Sequence, residues 1–398
     1  MKILFIFCDM FRANLLKTFN DGVKKKGLMD YWFERLGGTC FTNCYTPAPD
    51  TTRSLACLYT GKYPKKNGCY KRLTIPERYL KKDILNIFTF FEKYDYPMYF
   101  MFNKVNEKAG FFPVRGYKNT QIFDSLEVFL DELKISLTKN ENIFSFIVLK
   151  DYHWAIDDYG HNSLGDYYGQ KHLSNCFEMI FNKLTPNNFD YIFIFSDHGC
   201  KLYKELKREK KIYLINDDRS KIVMFVRKKG CNDIKKVSRL TSIMDVLPTL
   251  VEIIEKKNSY AFDGISLFKE MRSRYIAIED QSIFTSSVDM IHDLWGVRTD
   301  THFYFSSFND SILLKVISDN KYEEEKNPDN TLVLKLQKKI KDVACSYTKN
   351  MKEHEILVKY GALSTDRYKY SDGQKRKNEK YFVLRLIGKI FKNIYQRW

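Results

Sequence analysis

The chain has 398 residues, of which 44% are hydrophobic and 16% aromatic, a composition that excludes a disordered or fibrous protein. Its length accommodates one large α/β domain with a smaller unit, or two ordinary domains. Lys and Arg outnumber Asp and Glu by 66 to 49, giving a net charge of +17. That charge favours an anionic partner, such as a phosphate or sulfate ester, an acidic glycan, an anionic lipid surface or nucleic acid.

The start of the chain and its cysteines indicate the compartment. "MKILFIFCDMFR" has a short apolar run (3–7) that Asp9 and Arg12 interrupt, without the small-residue cleavage site of a secretion signal. No stretch approaches the roughly 18 apolar residues of a membrane span. The nine cysteines form no C-x-x-C pair and no Cys/His metal spacing, so we expect them to be reduced and mostly buried. We therefore expect a cytoplasmic protein.

Apolar, β-rich runs alternate with helical patterns over the first part of the chain. The runs are "KILFIF" (2–7), "PMYFMF" (97–102), "IFSFIVLK" (143–150), "YIFIFSDHG" (191–199) and "KIVMFVRK" (221–228), and the helical patterns cover 84–94, 125–138 and 165–184. This alternation predicts an α/β fold with a mainly parallel central sheet and helices on both faces. Ligands of such sheets bind at the carboxyl ends of strands, where Asp9, Asp151 and Asp197 lie.

After about residue 270 the pattern changes to short strands in a meander, which predicts a smaller antiparallel subdomain. Its strands are predicted within 274–280, 294–307 and 311–319, and "NKYEEEKNPDN" (320–330) is predicted to be a solvated turn. Residues 366–380 have the polar composition of a linker. The predicted units are therefore 1–270, 271–365 and 366–398.

The last stretch, "YFVLRLIGKIFKNIYQRW" (381–398), has the spacing of a basic amphipathic helix. Such a helix either docks on the body of the protein or makes a peripheral contact with a membrane, here at its inner face.

The segment "PDTTRSLACLYTGKYPKKNG" (49–68) places two threonines ahead of a Thr-Gly turn. It resembles the nucleophile segment of the alkaline phosphatase superfamily, sulfatase branch. In that family the attacking residue opens a helix nine positions before the threonine of the turn, which is Thr51 here. Sulfatases carry a cysteine there within C-x-P-S-R, whereas this chain has T-T-R-S-L, and threonine is common in the phosphodiesterases and phosphotransferases of the superfamily. Thr52 is the alternative nucleophile, and helix capping is the alternative role for both threonines.

Further segments resemble the family in the same order, up to about residue 306. "KILFIFCDM" is similar to its first strand and metal-binding aspartate, Asp9, and "FIFSDHG" is similar to the loop that would supply Asp197 and His198. "TSIMDVLPTLVEI", "FDGISL" and "GVRTDTHFYF" resemble later family motifs. Taken singly, Asp9 could instead be a strand-end cap, and Asp197 with His198 a loop pair.

The resemblance implies a divalent metal ion bound by Asp9, Thr51, Asp197 and His198. This oxygen and nitrogen set suits Zn²⁺ or Mn²⁺, with Mg²⁺ or Ca²⁺ as alternatives. A metal ion lowers the pKa of an alcohol and neutralises developing negative charge. Backbone N–H groups at the start of the helix after Thr51 would bind the anionic oxygens of the substrate.

Three further groups are candidates on weaker grounds. In "DYHWAIDDYGH", Asp157 and His161 resemble the D-x-x-x-H pair of two-metal family members, which also need a late histidine, His302 or His292. One-metal members use a histidine in this region to bind the substrate or protonate the leaving group, a role for His153. Structural roles are the alternative for His153 and His161. Arg53 either clamps the anionic ester or lies on the surface.

These expectations converge on an enzyme that cleaves or transfers phosphate esters through a covalent threonine intermediate. Its substrate would be an anionic ester, such as one on a glycan or a lipid headgroup. The alternative enzyme is a sulfuric ester hydrolase. The alternative of another class is a non-catalytic protein that binds polyanions or membrane surfaces; nucleic acid is not expected because no recognised binding module is present.

Overall fold

The computed structural model describes residues 1–70, 75–102, 110–114, 116–200, 215–256, 260–271, 273–280, 283–284, 290–291, 294–306, 311–318 and 321–344. The predicted linker (366–380), the predicted amphipathic helix (381–398) and His292 lie outside these residues. Among the described residues, no helix combines the length and the apolar character that a membrane crossing requires.

The apolar runs form a central sheet of eight strands in the order β5-β4-β6-β1-β7-β8-β2-β9. The strands are β1 (Lys2–Cys8), β2 (Gly38–Phe41), β4 (Met98–Met101), β5 (Thr120–Phe123), β6 (Ile143–Leu149), β7 (Tyr191–Phe195), β8 (Met224–Lys228) and β9 (Ile234–Val237), and β3 (Cys44–Tyr45) pairs separately with β10 (Thr241–Ser242). In this described sheet every strand except β8 runs in one direction. The predicted mainly parallel sheet is confirmed.

Helices cover both faces of this sheet. The α-helices of the described residues are α1 (Leu28–Leu36), α2 (Thr51–Thr60), α3 (Pro64–Asn67), α4 (Pro76–Tyr79), α5 (Ile87–Lys93), α6 (Leu126–Lys139), α7 (Asp151–Tyr159), α8 (Ser163–Lys183), α9 (Asp217–Ser220), α10 (Val246–Glu255) and α11 (Asn330–Val343), of which α11 packs on the second sheet described below. Because side chains alternate along β1, Phe5 and Phe7 join a core with α2, α5 and α10, whereas Leu4 and Ile6 join a core with α1, α6 and α8. Both predicted faces are therefore confirmed.

A separate antiparallel sheet follows in the order β11-β14-β15-β16-β17. Its strands are β11 (Tyr275–Asp280), β14 (Leu294–Thr299), β15 (His302–Ser306), β16 (Ser311–Ser318) and β17 (Lys321–Glu324), and a two-stranded pair, β12 (Ile283–Phe284) with β13 (Met290–Ile291), lies between β11 and β14 in sequence. This confirms the predicted antiparallel unit. The domain boundaries at 270/271 and 365/366 stay predictions.

The prediction of a solvated turn over 320–330 is wrong for part of that segment. Lys321–Glu324 forms β17, which pairs with β16 at the edge of the second sheet, and Asn330 begins α11. An edge strand is solvated on one side and needs no apolar run, so its charged sequence resembles a turn. Asp329 caps α11 by accepting a hydrogen bond from the backbone N–H of Thr331.

The cysteines of the described residues are all free, and most are buried. This agrees with the expected reduced state. Cys345 lies outside the described residues.

The topology brings the candidate residues to one edge of the central sheet. Strands β6, β1 and β7 are neighbours and parallel, so that their carboxyl ends lie side by side. Asp9 follows β1, α7 follows β6, and Asp197 and His198 follow β7. This is the edge at which an open α/β sheet binds its ligand.

Candidate active site

Asp9 is fixed by the backbone on both sides of it. Its N–H donates to the carbonyl oxygen of Leu149 at 2.9 Å, which continues the pairing of β1 with β6. The next residue, Met10, has a left-handed backbone with φ of 61°, which a non-glycine residue adopts only at a cost. In that conformation the N–H of Met10 donates to Oδ1 of Asp197 at 3.0 Å. The turn after β1 therefore joins the two aspartates.

Asp197 and His198 lie in the loop after β7, separated from the strand by Ser196, and Asp197 is fully buried. The Oδ1 atom of Asp197 also accepts the N–H of His198 at 2.8 Å. The Nδ1 atom of His198 lies 2.8 Å from the carbonyl oxygen of Gly199, which can only accept, so Nδ1 carries the proton. The Nε2 atom of His198 therefore presents its lone pair to the site.

Thr51 is the first residue of α2, and its position follows from the cap. Asp50 precedes it with an extended backbone, and Oδ1 of Asp50 accepts the N–H of Arg53 at 3.1 Å and the hydroxyl of Thr52 at 2.8 Å. The hydroxyl of Thr51 instead lies 3.4 Å from Nε2 of His198. The structure thus separates the two threonines, since Thr52 completes the cap and Thr51 faces the site.

The acidic side chains and His198 form a cluster suited to a cation. Ligand atoms of Asp9, Asp197 and His198 all lie within 4.8 Å of one another. Oδ1 of Asp9 and Oδ2 of Asp197 are buried and have no hydrogen-bond partner. Buried carboxylate oxygens without a partner are costly, and a bound cation removes that cost. The donor set therefore fits a divalent metal ion.

The two aspartates differ in their titration. Burial raises the pKa of Asp9, but the hydrogen bond from His153 and the charges of His153, Lys150 and His198 outweigh it, so that the pKa lies below its ordinary value. Burial also raises the pKa of Asp197, and the negative charge of Asp9 adds to that rise. His198, the N–H of Met10 and the hydroxyl of Thr51 offset it only in part. In the absence of a metal ion, Asp197 is the carboxylate with the less favourable environment.

His153 lies on α7 and contacts Asp9 from outside the cluster. Its Nδ1 atom is 3.0 Å from Oδ2 of Asp9, and its Nε2 atom is 3.6 Å from Oδ2 of Asp157. The contact with Asp9 uses Oδ2 and leaves the partnerless Oδ1 free for another ligand. His153 can therefore stay in place when a cation binds Asp9, with Nε2 directed outward.

Lys150 is a site residue that the sequence patterns did not single out. Its Nζ atom lies 3.5 Å from Oδ2 of Asp9 and over the ring of Phe111, 5.3 Å from the centroid. The available signal was its position as the first residue after β6, at the sheet edge that carries the other site residues.

Among the described residues, the structure does not bring together Asp157, His161 and His302, which were predicted for a second metal site. Asp157 is 61% exposed in its side chain and contacts His153. His302 lies on β15, with Nδ1 2.9 Å from the hydroxyl of Thr301 and Nε2 3.3 Å from Glu325. In the part of the chain that the structure describes, the one group of three potential metal ligands is Asp9, Asp197 and His198, without Asp157, His161 or His302.

Arg53 is fully buried, so the surface interpretation is wrong. Its Nε atom donates to Oδ2 of Asp50 at 2.6 Å, and its guanidinium also lies 3.3 Å from Glu279 and 3.5 Å from Asp280. A guanidinium that faces three carboxylates is engaged within the protein. Its geometry favours a role in positioning over the predicted clamp on a substrate.

Comparison with known proteins places this geometry in a family. The family model described as Sulfatase matches residues 2–255. No curated protein sequence matches the chain at a significant level. Solved structures resemble it over most of their length at low sequence identity.

Three of these structures illustrate the range. A 2-O GAG sulfatase is 15% identical with a TM-score of 0.64, and the match covers 92% of this chain and 94% of that one. A phosphonate monoester hydrolase of Agrobacterium radiobacter is 13% identical with a TM-score of 0.56, covering 80% and 90%. A protein in complex with its substrate D-glucosamine-2-N,6-O-disulfate is 12% identical with a TM-score of 0.60, covering 93% and 99%. At these identities the likeness shows a shared fold.

Proposed function

The chain belongs to the sulfatase family, and on that premise we propose that it cleaves or transfers phosphate esters through a covalent intermediate on Thr51. The family makes it an enzyme acting on phosphoric or sulfuric ester bonds, as the motifs implied, and favours catalysis over the alternative of a binding protein. One observation carries the finer proposal. The hydroxyl of Thr51, at the start of α2, lies 3.4 Å from Nε2 of His198, beside the partnerless oxygens of Asp9 and Asp197.

Asp9, Asp197, His198 and Thr51 would hold a divalent metal ion. When bound, such an ion would lower the pKa of the Thr51 hydroxyl and neutralise negative charge on the ester oxygens. Two carboxylates, one imidazole nitrogen and one hydroxyl favour Zn²⁺ or Mn²⁺, because nitrogen ligands are less suited to Mg²⁺ or Ca²⁺.

The residues of the chain account for two displacements. In the first, Oγ of Thr51 loses its proton to solvent and bonds to phosphorus, and the bond from phosphorus to the leaving-group oxygen breaks. His153, with Nε2 directed outward, gives that oxygen a proton. In the second, His153 takes a proton from water or an acceptor alcohol, whose oxygen bonds to phosphorus. The bond to Oγ breaks, and Thr51 regains a proton. Two in-line displacements retain the configuration at phosphorus.

Threonine is the reason to prefer phosphate over sulfate. Sulfatases resemble this chain in fold and in family. In the sulfatase sequence pattern, however, the position that Thr51 matches is a cysteine matured to formylglycine. Sulfuric ester hydrolysis therefore stays the second candidate, favoured by the family. An assay with nitrophenyl phosphate, bis-nitrophenyl phosphate and nitrophenyl sulfate separates the two. Turnover of the sulfate alone would overturn the preference for phosphate.

The nucleophile is tested by a matched pair of variants. Thr51→Ala is expected to lower kcat by at least about 1,000-fold, because it removes the attacking atom. Thr52→Ala removes a cap contact and is expected to lower kcat by less than about 10-fold. Mass spectrometry after an acid quench should find a phosphoryl group on Thr51 in the wild type. Equal losses in the two variants, or a phosphoryl group on Thr52, would contradict the assignment.

The substrate class is proposed as an anionic ester on a glycan. Relatives in fold include a GAG sulfatase and a protein solved with a disulfated glucosamine, and this chain is strongly basic. Trp154 follows His153 on α7 and is 47% exposed, which makes its indole accessible to a sugar ring. Trp154→Ala should raise KM for a pyranose phosphate by about 10-fold and leave KM for glycerol phosphate unchanged. Turnover only with phospholipid vesicles would favour a lipid headgroup instead.

A further inference from the structure

The end of β11, in the antiparallel sheet, lies against the loop that precedes Thr51. The N–H of Glu279 donates to the carbonyl oxygen of Pro47 at 2.8 Å. Glu279 and Asp280 are both buried, although both are acidic. Two adjacent buried carboxylates need cationic partners, and their partners identify what they do.

Asp280 pairs with two arginines that both precede the antiparallel sheet in the chain. Its Oδ2 atom contacts Nη1 of Arg219, and its Oδ1 atom lies 3.5 Å from Nη2 of Arg53. Arg219 also donates through Nη2 to the carbonyl oxygen of Pro49 at 3.0 Å. One carboxylate of the second sheet is thus connected to the residue two positions before Thr51.

Arg53 continues this connection to the cap of α2. Its Nε and Nη2 atoms lie 2.6 and 2.5 Å from Oδ2 of Asp50, and its Nη1 atom lies 3.3 Å from Glu279. Because Oδ1 of Asp50 caps α2, the guanidinium holds the other oxygen of the capping group. The loop before Thr51 is therefore held by Arg219 at Pro49 and by Arg53 at Asp50.

We propose that Asp280 is a positioning residue of the active site. Through Arg53 and Arg219, it fixes the loop from Pro49 to Thr51 so that the hydroxyl of Thr51 lies beside Asp197 and His198. The antiparallel sheet is then part of the catalytic machinery, since it determines where the nucleophile stands. The kinetic consequence rests on the proposed function of Thr51.

The test compares Asp280→Asn with Glu323→Gln in the full chain. Asparagine keeps the shape of Asp280 but places an N–H₂ group toward one of the two arginines. Glu323 is an exposed carboxylate on β17 of the same sheet, so its variant controls for charge loss in that sheet. Asp280→Asn should lower kcat by about 10- to 100-fold, because small displacements of a reacting group carry penalties of this size. KM and the bound metal content should stay within about 2-fold of the wild type, which a purely structural defect would not produce.

Arg219→Lys is the second variant, for the case that Asp280→Asn does not fold. Lysine keeps the charge opposite Asp280 but lacks the second donor of the guanidinium fork that reaches Pro49. It should lower kcat by about 3- to 10-fold with KM unchanged. Wild-type kcat in both variants, with Thr51→Ala inactive, would overturn the positioning role and leave the proposed function intact.

A measurement that does not depend on turnover can test the positioning role of Asp280 even when the proposed function fails. If the wild type hydrolyses none of the esters, the proposed function fails, and amide hydrogen exchange of the segment 47–54 decides on Asp280. Exchange there should be faster in Asp280→Asn than in the wild type and unchanged in Glu323→Gln. Equal exchange in all three proteins would overturn the inference.

Discussion

The carboxylates of Asp9 and Asp197 have oxygen atoms within 4.8 Å of each other, and neither side chain is exposed to solvent. In each, one oxygen is held by the protein and the other has no hydrogen-bond partner. Such an arrangement destabilises the metal-free protein, because a buried charge without a partner loses its hydration. The two carboxylates therefore lower the stability of the metal-free fold and increase the affinity of the site for a cation, as is common at functional sites.

This cost can be measured at Asp197. Asp197→Asn keeps an oxygen for the N–H groups of Met10 and His198 and removes the charge from the partnerless side. In the presence of a chelator, it should raise the free energy of unfolding by about 1 to 3 kcal/mol, because a neutral amide replaces a buried charge that has lost its hydration and lies near the charge of Asp9. Urea unfolding measures the change.

Metal addition provides the complementary half of this test. The wild type should gain about 2.7 kcal/mol at a metal concentration 100 times Kd, whereas Asp197→Asn should gain little. Asp342→Asn, an exposed position on α11, is the control and should behave as the wild type in both conditions. A metal-free Asp197→Asn that is less stable than the wild type would argue against an uncompensated charge.

Because of the titration of His153, we expect the free energy of unfolding of the metal-free protein to depend on pH. Burial and the charge of Lys150 lower the pKa of His153. The hydrogen bond to Asp9 and the negative charges of Asp9 and Asp157 raise it by more, so that the pKa lies above its ordinary value. A raised pKa in the folded state adds stability below the unfolded value of about 6.5, and this stability is lost as pH rises through the folded value.

His153→Gln should therefore destabilise the metal-free protein most at pH 5.5, by about 1 to 2 kcal/mol, the size of a hydrogen bond to a charged group. The difference from the wild type should shrink by pH 8.5. Urea midpoints of both proteins in chelator give the comparison at each pH. A difference that stays constant with pH would show that the charge of His153 does not stabilise the fold.

At the scale of elements, apolar runs predicted the strands that are buried on both faces, as in β1, β6 and β7. They missed β17 and α11, because neither segment is an apolar run that is buried on both faces. β17 is an edge strand with mostly exposed residues, and a segment of that kind has no pattern that separates it from a turn. The helix α11 did carry a readable signal, namely the Asp329 cap before an amphipathic repeat.

The contribution of α11 can be tested with two aliphatic residues. Ile340 is fully buried in the core that α11 shares with the second sheet, whereas Leu334 on the same helix is 65% exposed. Ile340→Ala should destabilise the protein by about 2 to 5 kcal/mol, and Leu334→Ala by less than about 0.5 kcal/mol. Urea unfolding of both variants measures the contrast. Similar effects of the two substitutions would mean that α11 does not pack as described.

The candidate site shows a similar division between what the sequence contained and what it did not. Asp9, Asp197, His198 and Thr51 could be predicted because the segments that contain them resemble motifs of the alkaline phosphatase superfamily in the same order. Position at a strand end or helix start supported this prediction but did not separate a ligand or nucleophile from a cap. The partners of Arg53 could not be predicted, since Asp280 is more than 200 residues away and belongs to the other sheet. Contacts of that separation depend on packing, which local patterns do not encode.

At the scale of the whole molecule, the net charge of +17 should assist the capture of anionic substrates. Attraction that acts over several ångströms is screened by salt, because the Debye length falls from about 10 Å at 0.1 M to about 3 Å at 1 M. Between 50 and 500 mM NaCl, kcat/KM for a polyanionic oligosaccharide ester should fall by about 10-fold. The value for nitrophenyl phosphate should fall by less than about 3-fold. Equal slopes for both substrates would show that overall charge does not select the substrate.

The central place of β1 between β6 and β7 has a consequence for biosynthesis. β1 is translated about 190 residues ahead of β7, so at 5 to 20 residues per second it waits roughly 10 to 40 s for its second neighbour. Its first neighbour, β6, is translated about 140 residues after β1, so for most of that interval a strongly apolar segment has no sheet to join. We expect the nascent chain to depend on a holding chaperone at the ribosome, and production in cells depleted of such chaperones should yield insoluble protein.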